Sequence, residues 1–106
     1  HTADNELRRV NEVDFIKTAA SKAKILMDST SDEVLKKRIE KIYDLIHSSP
    51  SRSYPSVKDL EANIMTTINE LGVVLNKNNN DDEVDKLICK IQFAIEERNR
   101  IVVLSN

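Results

Sequence analysis

Residues 37–46, Lys-Arg-Ile-Glu-Lys-Ile-Tyr-Asp-Leu-Ile, return in altered form at 86–95 as Lys-Leu-Ile-Cys-Lys-Ile-Gln-Phe-Ala-Ile. Both copies keep the string Lys-x-Ile-x-Lys-Ile-x-x-x-Ile, whose isoleucines are three and then four residues apart. That spacing lines up one side of an α-helix. Sliding residues 13–46 along by forty-nine extends the match to Thr18/Thr67, Leu26/Leu75, Asp32/Asp81, Lys37/Lys86, Ile39/Ile88, Lys41/Lys90, Ile42/Ile91 and Ile46/Ile95. A helical unit of this size cannot bury its apolar stripe alone, and two of them can bury their stripes against each other. The expected fold is therefore all-α, an antiparallel four-helix bundle built from two repeated α-hairpins with pseudo-two-fold symmetry.

The rest of the composition agrees. A chain of 106 residues holds one hydrophobic core. The reading is a single helical domain over 1–106, with a first hairpin repeat at 13–48, a seam loop at 49–56 and a second hairpin repeat at 57–104. One Gly, two Pro and 32% charged residues suit helices better than strands.

Four helices follow from the periodicity. The first runs from about Asp4 to Met27, with Phe15, Ile16, Ala19, Ala23 and Leu26 on its apolar side and Leu7 and Val10 well off it. Thr30 with Glu33 has the spacing of a capping box for the second, about Asp32 to Ser48, which should bury Leu35, Ile39, Ile42, Leu45 and Ile46. Ser-Ser-Pro-Ser-Arg-Ser-Tyr-Pro-Ser at 48–56 is the one long loop, since each proline disfavours helix in the residue before it. Ser56 and Asp59 then look like an N-cap pair for a third helix over about 57–75. Its stripe is Val57, Leu60, Ile64, Ile68, Leu71 and Leu75, and Gly72 implies close packing or a weak last turn.

Asn76-Lys-Asn-Asn-Asn80 reads as a polar turn. Asp81, Asp82 and Glu83 put negative charge at the start of the fourth helix, where the helix dipole favours it. That helix should bury Val84, Leu87, Ile88, Ile91, Ala94, Ile95 and Val102. Arg98 falls on the same side near the bundle end, with its stem expected to snorkel outward.

Several functions are disfavoured. The net charge of -2 argues against a nucleic-acid partner. The densest basic run, Lys36 to Arg38 with Lys41, is interleaved with Glu33 and Glu40 and reads as a self-paired solvated face. No apolar run approaches the ~20 residues of a membrane-spanning helix, so no membrane insertion by this segment is expected. Cys89 is the lone cysteine, which rules out a disulfide within the chain and leans towards a reducing, cytoplasmic setting. The start at His1 points to a piece of a longer protein.

Chemistry finds little support. A di-metal carboxylate site in a bundle needs Glu-x-x-His on two helices, and the nearest approach, Asp44-x-x-His47, is matched in the second hairpin only by Phe93 and Glu96. A phosphotransfer histidine sits in mid-helix with a following Lys-Gly, whereas His47 precedes Ser48, Ser49 and Pro50 at a helix end. Cys89 has no histidine near it in sequence, and one glycine cannot make a phosphate-cradling loop. No catalytic residue, metal site or cofactor is expected, and the chain is read as non-enzymatic.

The informative departure lies on the fourth helix. Cys89, Phe93 and Leu104 project away from the core stripe, where the first hairpin has the charged Glu40 and Asp44 opposite Cys89 and Phe93. With Arg100 and Arg98 nearby, these residues read as a small apolar surface for a protein partner or for self-association. Leu7 and Val10 folding back over Phe93 is the alternative. Tyr54 beside Arg52 is a lesser candidate, more simply read as a ring closing the end of the core. The expected function is a non-catalytic interaction or scaffold module docking through Cys89, Phe93, Arg100 and Leu104. The alternative is a small helical regulator binding a ligand or metal within the bundle.

Overall fold

The computed structural model describes the backbone of residues 2–77 and 81–105, and the side chains of 15–77 and 81–105. Four helices follow one another: α1 (Thr2–Ser29), α2 (Glu33–His47), α3 (Lys58–Asn76) and α4 (Asp81–Ser105), with a single 3₁₀ turn at Pro55–Val57 before α3. They form the expected antiparallel bundle of two α-hairpins. None of them is long and apolar enough to cross a membrane, among the described residues. The proposed fold-back of Leu7 and Val10 lies outside the described side chains.

Short connectors at 30–32 and 77–80 turn each hairpin. The start of α2 is set by Asp32, whose Oδ1 accepts from the backbone N–H of Val34 at 2.9 Å and of Leu35 at 3.3 Å. Thr30 and Glu33 do not form the expected capping box. The Thr30 hydroxyl instead donates to the Leu26 carbonyl at 2.6 Å, closing α1 rather than opening α2. The start of α3 differs as well. Val57 is its cap residue and no side chain caps it, because the 3₁₀ turn and the Val57 N–H bond to the Tyr54 carbonyl occupy the place assigned to Ser56.

The packing pattern departs from two-fold symmetry. Within the described residues α1 lies beside α2 and α3, and α4 beside α3 and α2, leaving α1/α4 and α2/α3 as diagonals. Contacts between the hairpins rise together in number, Lys22 to Asn69 and Leu26 to Gly72, Arg38 to Asp85 and Ser49 to Asn99, so α1 runs parallel to α3 and α2 parallel to α4. Lys22 Nζ donates to Asn69 Oδ1 at 3.0 Å across the first parallel pair, and Arg38 pairs with Asp85 across the second. A two-fold axis along the bundle would exchange diagonal helices, and here the diagonals run in opposite directions. The hairpins are stacked side by side instead.

The forty-nine-residue step holds for α2 and α4, where Ile39/Ile88, Ile42/Ile91 and Ile46/Ile95 are all buried. Between α1 and α3 the buried positions match one residue earlier, as Ala19/Thr67, Ala20/Ile68 and Ala23/Leu71. The connector at 77–80 is one residue longer than that at 30–32, which accounts for the slip. Thr18 and Thr67, identical at the longer step, are accordingly exposed and buried respectively.

The core unites Ile42 and Ile46 of α2, Ile64, Ile68 and Leu71 of α3, and Val84, Leu87, Ile88, Ile91 and Ile95 of α4. From the described side chains of α1 it takes the three alanines as buried residues, with Phe15, Ile16 and Leu26 half-covered around them. Leu35, Leu45, Leu60, Leu75 and Ala94, expected inside, are also only half-buried. Three alanine methyls bury little area, so the described part of α1 is lightly anchored. Gly72 is a close-packing glycine: a Cβ there would stand 3.2 Å from Leu26 Cδ2 across the α1/α3 contact.

Removing the Asp32 cap tests this account of the first turn. Asp32→Ala should cost about 1 kcal/mol in urea unfolding, while Glu33→Ala should be nearly neutral. The reverse order would restore the capping box.

Candidate functional site

The residues picked out on α4 are where the helical projection puts them. Phe93 is 71% exposed and Leu104 72%, and the Cys89 thiol is exposed. Steps of four, four, three and four residues join Cys89, Phe93, Glu97, Arg100 and Leu104 into one outward stripe. The stripe is not continuously apolar. Phe93 and Leu104 are eleven residues apart, roughly 16 Å along the axis, and an ion pair lies between them.

In that pair Arg100 Nη2 donates to Glu97 Oε1 at 2.5 Å and Nε to Oε2 at 3.3 Å. The hydrogen bond from Arg100 holds the Glu97 carboxyl below the usual carboxylate range, and the same bond raises Arg100. Because the folded value lies below the unfolded one, the pair contributes above the ordinary carboxylate range. That contribution fades as pH falls through the lowered value. Both partners meet water, so the contribution is small. Arg100→Gln should return the Glu97 NMR titration midpoint towards that of an ordinary glutamate. An unmoved midpoint would assign the depression to another cause.

Arg98 does not flank this stripe. It is wholly buried, with 0% of its surface exposed, and does not snorkel. The spacing Ile91, Ile95, Arg98, Val102 carries it into the interior, and on α3 the spacing Val57, Glu61, Ile64, Ile68 does the same for Glu61. Arg98 Nε donates to Glu61 Oε2 at 3.0 Å. Its Nη1 donates to the Pro50 carbonyl at 2.7 Å and to Asn99 Oδ1 at 3.0 Å, and its Nη2 to the Arg52 carbonyl at 2.7 Å.

The network continues outward from the ion pair. The Ser53 hydroxyl donates to Glu61 Oε1 at 2.7 Å. Asn99 Nδ2 donates to Ser49 Oγ at 2.8 Å, and Ser49 Oγ donates in turn to the Leu45 carbonyl at 2.6 Å. Phe15 of α1 lies with its ring centroid 5.1 Å from the guanidinium carbon, adding a cation–π contact. Among the described residues no buried side-chain nitrogen or oxygen lacks a partner.

This cluster is a structural clamp. A planar guanidinium with donors in a fixed fork is suited to gather a carboxylate and two loop carbonyls at once, which a lysine ammonium does less well. Glu61, Ser53 and the buried Arg98 are interior polar groups that sequence reading missed. The available signal was one opposite charge on each of two facing stripes, both near the seam end. It was passed over because Glu61 stands between Leu60 and Ile64 in a helix whose apolar pattern otherwise accounts for itself.

The remaining candidates stay apart. Asp44 is exposed, and the His47 ring lies 5.6 Å from the Tyr43 ring centroid, tilted by 44°. No group of three or more His, Cys, Asp or Glu suited to a metal ion occurs among the described residues. Tyr54 is half-buried, and its hydroxyl accepts from Arg52 Nη1 at 3.4 Å. No known protein family, curated protein or solved structure matches this chain.

Breaking the clamp from one side should be severe. Arg98→Met leaves the Glu61 carboxylate buried without its cation, at an expected cost of about 3–5 kcal/mol in urea unfolding. Adding Glu61→Leu should recover part of that loss. Recovery stays incomplete because the Pro50 and Arg52 carbonyls still lack a donor. A double variant no better than the single one would show that the ion pair is not the element at stake.

Proposed function

We propose that this domain is a non-catalytic protein-interaction module that docks through the outward stripe of α4, with Phe93 as its anchor. The observation that carries the reading is an aromatic ring 71% open to water at a position where α2 has a carboxylate, Asp44. Single exposed apolar residues are common on protein surfaces, but an exposed ring flanked by a charged pair has the make-up of an anchor with a polar rim. Leu104 supplies a second apolar point on the same stripe, and Glu97 with Arg100 supplies the polar ground between them.

The buried polar cluster supports the same reading from the other direction. Its hydrogen-bonding capacity is taken up by the seam loop, so the charges inside the bundle are committed to structure. A general acid or base needs a face open to substrate, and Glu61 has both oxygens engaged within the chain.

Phe93→Asp is the direct test. Light scattering across concentration should show an apparent mass that rises for the unaltered chain and stays flat for the variant, with thermal stability preserved because the ring is solvent-facing. Cys89, one turn from Phe93, provides a second readout: its thiol should react more slowly with a maleimide under conditions of association. Identical mass, identical thiol reactivity and identical melting in both chains would overturn the reading.

A further inference from the structure

On the side of the bundle formed by α1 and α2, a groove of about 360 Å³ opens along the junction of the two helices and reaches Ser51 of the seam loop. Its lining includes the apolar Ile16, Ala20 and Tyr43 ring, with the cationic Lys17 and Lys24 on α1 and the imidazole of His47 on α2. None of the described residues lining it is acidic. Among the described residues Lys17, Lys24 and His47 take no part in any salt bridge.

The groove has a physical origin in the sequence. α1 presents Ala20 and Ser21 where the facing helix presents Tyr43 and His47, so small side chains stand opposite large ones and a trough remains. Lys17 and Lys24 are seven residues apart on α1, two turns or roughly 10 Å, and bracket that trough. The volume falls within the range of small-molecule sites, which are mostly apolar with a few placed polar groups.

We propose that this groove binds an amphiphilic carboxylate: an alkyl or aryl body resting on Ile16, Ala20 and Tyr43, with its anionic head held by the Lys17, Lys24 and His47 rim. Charge complementarity selects the head and the apolar floor selects the body. A cation of the same shape meets repulsion from both lysines. The groove is open to solvent along its length, so the ligand is held weakly and exchanges quickly. This site is separate from the α4 stripe and does not depend on the docking proposed there.

Titrating the unaltered chain with decanoate, below its aggregation concentration and monitored by amide NMR shifts, tests the assignment. Decanoate should produce saturable shifts at Ile16, Ala20, Tyr43 and His47, and should bind at least tenfold more tightly than decylammonium. Lys17→Glu with Lys24→Glu should weaken decanoate at least tenfold while leaving the helical circular dichroism intact, and Phe93→Asp should leave it unchanged. Should the double variant fail to fold, the comparison of decanoate with decylammonium on the unaltered chain still decides. Equal binding of the two, shifts centred on Phe93 and Leu104, or no saturable shift would each overturn the proposal.

Discussion

The buried contact between Arg98 and Glu61 is the constraint on which the seam end of this bundle depends. The two helices of a hairpin such as α3–α4 can slide or rotate against each other wherever the interface is only Ile on Ile, because apolar contacts are non-directional. A guanidinium that must satisfy a carboxylate and two loop carbonyls together tolerates far less displacement. By reaching the Pro50 and Arg52 carbonyls, Arg98 also ties the segment joining the hairpins to α4. The loop then needs no core of its own. Asn99 and Ser49 extend the same tie to the end of α2.

Around that fixed end the four helices contribute unequally. α2, α3 and α4 supply the isoleucines and leucines, while the described part of α1 enters the interior with alanines. Small residues let α1 lie close, as the 3.2 Å approach expected at Gly72 shows on its α3 side, but they bury little area. Phe15 compensates at the seam end by covering the Arg98 guanidinium. The same economy of side-chain volume leaves a trough towards α2 where Ala20 and Ser21 face Tyr43 and His47. Anchoring of α1 and the groove beside it thus have one cause.

The two hairpins also differ on the exterior. Here α2 presents Glu40 and Asp44 while α4 presents Cys89 and Phe93, and the two faces are chemically distinct. The groove flanked by Lys17 and Lys24 lies on the first hairpin and the exposed Phe93 ring on the second, giving the domain two different surfaces on one core.

The number of helices, their limits to within a few residues, the three shared isoleucine positions of α2 and α4, and the outward projection of Phe93 were legible in the sequence. Each depends only on periodicity along one helix, and periodicity is a local property. What the tertiary structure decided is which helix neighbours which, and hence the stacking of the hairpins and the one-residue slip between α1 and α3. It also decided that Arg98 stays inside. A lone arginine at a bundle end is expected to reach for water, and it remains buried only because Glu61 of another helix and two carbonyls of the loop converge on it. Such convergence joins residues thirty-seven to forty-eight positions apart, and no one-dimensional spacing encodes it.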